Sequence, residues 1–145
     1  MDTEALLITE AIRTVESNSD YEAHGLSGES GAYQFMPETW KAWAKRWLGN
    51  EKAELSKDNQ DYVAYRQIKS WRDIGYDEAQ IASIWNSGSP EWEGKIGTNA
   101  KGFTYNVPAY VKKVLEALRK IKEARLDTLS KTFIQNFYLF FFGRE

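Results

Sequence analysis

Two stretches of this sequence carry residue types able to cut a glycosidic bond. Glu16-Ser17 closes an apolar periodic run, and Gly31-Ala32-Tyr33-Gln34-Phe35-Met36-Pro37 follows it across a polar loop. The first stretch offers one carboxylate. The second offers an amide, Gln34, between the aromatics Tyr33 and Phe35, and then the Met36 thioether. An acid facing hydrogen-bonding and stacking groups suits a cleft that holds a sugar chain. Cleavage passes through an oxocarbenium-like state and needs the leaving oxygen protonated. Glu16 is placed for that task. It follows Ile12 by four residues, at the margin of an apolar stripe, and lies near a helix C-terminus. The helix dipole and desolvation both disfavour its anion and raise its pKa, the direction a general acid needs.

A second carboxylate, the nucleophile or base of ordinary glycosidases, has no fixed position here. Asp20, Glu22 and Glu29 all fall on the loop after the first helix, and Asp20 and Glu29 are the candidates. A solvated loop acid is the plainer alternative for each.

Composition removes several other chemistries. Without cysteine there is no thiol nucleophile, thiolate metal site or disulfide, and the redox compartment stays open. One histidine, His24, leaves no multi-histidine metal site and makes a Ser-His-Asp triad a poor fit; it reads as a polar loop residue. A net charge of −2 lacks the basic footprint of nucleic-acid binding. The acidic N-terminus leads into no uninterrupted apolar run, so no signal peptide is visible, and no stretch reaches transmembrane length. The 145 residues suit one domain with a real core.

The elements that must position the site are helices. Ile8, Ala11, Ile12 and Val15 mark a first helix over residues 3–16, capped by Asp2 or Thr3 and ended by Ser17-Asn18-Ser19-Asp20. Tyr21 to Gly31, with Gly25, Gly28 and Gly31, reads as a mobile loop. Pro37 suits the first turn of a second helix carrying Trp40, Trp43, Ala44 and Trp47, a stripe that reads as core. A third helix is expected over 58–74, with Tyr62, Tyr65, Ile68 and Trp71 recurring every third residue. Asp77 and Gln80 resemble a capping box for a fourth, ended at Asn86-Ser87-Gly88-Ser89-Pro90. A small hairpin is expected near residues 92–105. Asn106 caps a last long helix bearing Val111, Val114, Leu115, Leu118 and Ile121. Six Lys/Arg against two Glu between Val107 and Arg125 make its outer face basic, either a solvated face or one meeting a polyanionic polymer. The tail through Phe133, Ile134, Phe137, Tyr138, Phe140 and Phe141 reads as a terminal helix packed on the domain; a docking or membrane-surface helix is the alternative.

Taken in order, Glu16-Ser17, Gly31 to Trp40, Ile84-Trp85-Asn86-Ser87-Gly88 and Tyr110-Val111 resemble the lysozyme-like lytic transglycosylases, the soluble-lytic-transglycosylase or goose-type group. The likeness spans about residues 5–118. It implies a mainly α, lysozyme-like domain over residues 1–125 with a substrate cleft beside the first helix; the aromatic-rich C-terminal helix or tail over 126–145 lies outside the likeness. It further implies cleavage of the β-1,4 bond between N-acetylmuramic acid and N-acetylglucosamine, by a monomer without cofactor or metal. The site of action would be the cell wall, reached in the periplasm, outside the cell or from a virion. By that resemblance Glu16 is the general acid and then the base. Ser17 supports the bound sugar or the carboxyl, and Gln34 bonds an N-acetyl or sugar group beside Tyr33, Phe35 and Met36. Asn86 holds substrate or loop opposite Glu16, and Tyr110 closes the site. One position departs from the pattern. Trp85, a substrate-binding candidate that can stack on a sugar but cannot accept a hydrogen bond, stands where the family has tyrosine, so the phenol's role is lost there or passes to Tyr110 or Tyr105. With one acid, the muramyl 6-hydroxyl attacks its own anomeric carbon and leaves a 1,6-anhydro end; with Glu29 held near the cleft, water can attack instead. A glycan-binding module of a phage or secretion apparatus, with little catalytic power, is the reading from another class.

Overall fold

The structure, a computed structural model, describes residues 1–143. It is mainly helical with one small antiparallel hairpin, the class expected from the periodicities. Helix α1 runs Thr3–Ser17, and the Asp2 carboxylate caps it by accepting from the Ala5 N–H at 3.1 Å. Its apolar stripe, Ala5, Ile8, Ala11 and Ile12, is fully buried, packed between α3 (Lys57–Ile74) and α5 (Val107–Phe142). Helix α2 (Pro37–Leu48) begins on its proline, and α4 (Glu78–Ser87) begins on the Asp77–Gln80 capping box. The hairpin pairs β1 (Ile96–Thr98) with β2 (Thr104–Asn106), with Gly97 opposite Tyr105. A Cβ on Gly97 would stand 2.8 Å from the Tyr105 hydroxyl, so the glycine lets that ring lie across the neighbouring strand.

Three expectations change. In α3 the buried set is Gln60, Val63, Ala64, Gln67 and Ile68, and Tyr62 is 42% exposed. Three residues turn a helix through about 300°, so a strict every-third pattern drifts off one face; the 3-4 pattern stays on it. The loop after α1 is laced with hydrogen bonds. Gly25 N–H donates to the Glu29 carbonyl at 2.8 Å and Gly31 N–H to Ala23 at 2.8 Å, while Ser30 and Phe35 exchange a pair. The aromatic tail does not pack back on the domain. It continues α5 without a break, and every large apolar side chain from Leu126 to Phe142 is exposed. At about 1.5 Å per residue, a 36-residue helix outruns its 15-residue partner α1 by about 30 Å. Nothing remains there for it to pack on. No helix of the described residues is long and apolar enough to cross a membrane.

Candidate active site

The Glu16 carboxylate accepts a hydrogen bond from the Tyr110 hydroxyl at 2.6 Å, a pair 94 residues apart joined by the packing of α1 on α5. Burial pushes the Glu16 carboxyl above its ordinary range; the Tyr110 hydrogen bond, which favours the anion, acts against that, and the nearby Glu29 charge adds to it. The net direction is upward. Burial also pushes the Tyr110 phenol well up, and the Glu16 charge adds to the shift, so the hydroxyl keeps its proton and remains a donor.

The loop brings two further polar tips close together. Glu29 Oε2 accepts from the Ser27 N–H at 2.9 Å. A Cβ on Gly25 would collide with that carboxylate and stand 2.8 Å from Gln34 Oε1, so both side chains occupy the space over this glycine. Gln34 adopts φ +51°, in the left-handed region, and its Nε2 donates to the Gly31 carbonyl at 2.9 Å. Of the two loop candidates, Glu29 is the one whose charge acts on Glu16. Asp20 is exposed and turned onto its own loop, accepting from the Glu22 N–H at 3.0 Å.

Other residues expected to touch a ligand do different work. The Ser17 hydroxyl donates to the Ala32 carbonyl at 2.8 Å and accepts from the Asp20 N–H at 3.0 Å. It thereby fastens the end of α1 to the Gly31–Phe35 segment. Tyr33 is fully buried with its hydroxyl on Asp61 at 2.6 Å, and Phe35 is 3% exposed. Both are core, which corrects their assignment to ligand contact: the turn packs Ala32, Tyr33 and Phe35 into the interior and leaves Gln34 half-buried and Met36 exposed. Trp85 is half-buried against Phe35 at 5.8 Å and Trp43 at 5.3 Å, within a cluster that also takes in Tyr33 and Trp71. The phenol that reaches Glu16 is therefore Tyr110. Met36 and Asn86 are exposed.

Two supports escaped the sequence reading. Gln60 is buried; its Oε1 accepts from the Ala32 N–H at 2.8 Å, and its Nε2 donates to the Leu55 carbonyl at 2.9 Å and the Tyr21 carbonyl at 3.4 Å. Asp61 accepts from the hydroxyls of Tyr33 at 2.6 Å and Tyr21 at 2.8 Å and pairs with Arg13 at 3.2 Å. A signal for Gln60 existed. Gln60 and Gln67 share the 3-4 face with Val63, Ala64 and Ile68, and a polar residue on a buried face needs partners.

Half of the basic face of α5 is engaged. Lys122 pairs with Glu4 and Glu78, Arg125 with Glu10, and Arg119 with Glu116 and Glu123. Among the described residues no group of three or more His, Asp or Glu side chains is placed to hold a metal ion. Comparison with protein-family models, curated proteins and solved structures returns no match.

Proposed function

We propose that this chain cleaves the glycan strand of peptidoglycan at the β-1,4 bond between N-acetylmuramic acid and N-acetylglucosamine, on a lysozyme-like helical domain. One observation carries the reading: Glu16 is a desolvated carboxyl with a raised pKa, held by a phenol hydroxyl at 2.6 Å. A carboxyl in that state donates its proton to a leaving oxygen at a pH where an ordinary glutamate is ionised. Glu16 protonates the glycosidic oxygen as the bond to the anomeric carbon breaks. The resulting carboxylate, stabilised by the Tyr110 hydroxyl, takes the proton of the muramyl 6-hydroxyl as that oxygen attacks the same carbon. The product ends in a 1,6-anhydro ring, and no water is consumed. Half-buried Gln34 and exposed Met36 and Asn86 are the groups proposed to meet the sugars.

Hydrolysis is the second reading, and Glu29 favours it. Its charge acts on Glu16, and its carboxylate is held by the Ser27 N–H over Gly25. A positioned second carboxylate is what activation of water requires.

Mass spectrometry of soluble fragments released from purified peptidoglycan tests both. Fragments one water lighter than hydrolytic products are expected. Free reducing ends would replace the anhydro route with the hydrolytic one. In the Glu16→Gln variant release should fall by about 10²–10⁴-fold, the usual worth of a general acid. An unimpaired variant sinks the proposal, and a wild-type chain that binds peptidoglycan yet releases nothing is a binding module instead.

A further inference from the structure

The exposed tail of α5 has a spacing that matches itself in reverse. Leu126, Leu129, Phe133, Phe137 and Phe140 follow intervals of three, four, four and three residues, on one face of the helix. Run antiparallel against a copy of itself about a two-fold axis at Phe133, the stripe sets Leu126 opposite Phe140, Leu129 opposite Phe137 and Phe133 opposite Phe133. We propose that residues 126–142 pair with the same segment of a second copy of this chain, as an antiparallel two-helix interface. This replaces the monomer expected from the sequence and is independent of the catalytic reading.

Three observations choose a second copy as the occupant. The first is area. Residues of the stripe are 51–70% exposed, and Ile134 and Phe141 beside it are 58–65% exposed. Aromatic side chains present roughly 150–250 Å² each, so the face offers on the order of 800–900 Å² per copy, near the ~800 Å² per partner of stable interfaces. The second is symmetry, because a palindromic stripe is what an isologous contact needs. The third is charge. Asp127 and Lys131 form an ion pair at 2.7 Å, and no other charged residue lies between 126 and 142. A membrane-surface helix draws much of its binding from Lys and Arg on its polar face, whereas here that face is Thr128, Thr132, Gln135 and Asn136. Of the four basic residues just upstream, between 119 and 125, Arg119, Lys122 and Arg125 are already paired with carboxylates.

The full-length chain is tested by sedimentation equilibrium and by crosslinking. The wild type should sediment at twice the chain mass, and Leu129→Glu/Phe133→Glu/Phe137→Glu at the chain mass with unchanged far-ultraviolet circular dichroism. The natural sequence has no cysteine, so register is read with a short bis-maleimide. Phe133→Cys alone should crosslink to itself, while Leu126→Cys should crosslink to Phe140→Cys in a mixture far better than to itself. A wild type that stays monomeric up to its solubility limit overturns the proposal. So does self-crosslinking of Leu126→Cys as efficient as in the mixture, which marks a parallel pair. Co-sedimentation of a monomeric wild type with vesicles of phosphatidylcholine and phosphatidylglycerol would assign the face to lipid.

Discussion

Gly31→Ala tests how the candidate site is suspended from the core. Gly31 has φ +82°, and a Cβ there would run into the Gln60 carboxamide, which is buried and hydrogen-bonded to Ala32, Leu55 and Tyr21. A non-glycine residue in the left-handed region costs about 1–2 kcal/mol. Displacing Gln60 strands the Ala32 N–H in the interior, a further ~1–3 kcal/mol. The expected loss is about 2–5 kcal/mol, slightly offset by a stiffer unfolded chain, and each kcal/mol lowers Tm by about 2–4 °C in a protein of this size. Gly28→Ala is the internal control. Its φ is +95°, but a Cβ there meets nothing within 4 Å, so only the backbone strain of about 1–2 kcal/mol applies. Urea unfolding followed by tryptophan fluorescence measures both. A Gln60→Ala background supplies the cycle: with the carboxamide gone, Gly31→Ala should cost no more than Gly28→Ala. Equal losses at the two glycines in the wild-type background would refute the account, because the collision with Gln60 is what distinguishes them.

Two further outcomes concern Glu16. In the pH dependence of fragment release, the basic limb reports loss of the Glu16 proton; Glu29→Gln should move that limb to lower pH by removing a charge that raises Glu16, and Tyr110→Phe should move it higher by removing a hydrogen bond that favours the anion. Shifts of the same sign in both variants would disprove this assignment. Because the folded protein raises the Glu16 pKa, the stability tied to that proton is fully present below the unfolded value of about 4.3 and is lost as pH rises through the folded value. Glu16→Gln should therefore unfold at a higher temperature than wild type at pH 7, with the gap closing toward pH 4; thermal melts across that range measure it.

The elements were legible because their signals are local. Asp2 before Ala5, the Asp77–Gln80 pair and Pro37 at a helix start each act within a turn, and the structure has a boundary at each. The face of α3 was misread through Tyr62, because an aromatic repeat of three mimics a stripe without following the helical period. The tail was read as packed on the domain because apolar spacing reports that a face wants burial, not whether anything lies within reach. Within the Gly31–Trp40 segment, composition did not separate the side chains that fill the core from those that do not. Tyr33 and Phe35 fill the core, whereas Gln34 is half-buried and Met36 is exposed.

By itself the sequence determined the helical class, the positions of the turns, and the chemistry on offer, a carboxylate at the end of α1 followed by an amide in an aromatic segment. Residue types and their short-range periodicity carry that information, since capping, turn formation and amphipathicity depend on neighbours a few residues away. Only the tertiary structure decided that the Tyr110 hydroxyl meets Glu16 across 94 residues, that Glu29 rather than Asp20 acts on it, and that Gln60 and Asp61 hold the loop and Tyr33 from behind. Those outcomes depend on how α1 seats between α3 and α5. A hydrogen bond of that kind is decided by a few tenths of an ångström in packing, and no local pattern in the chain records it.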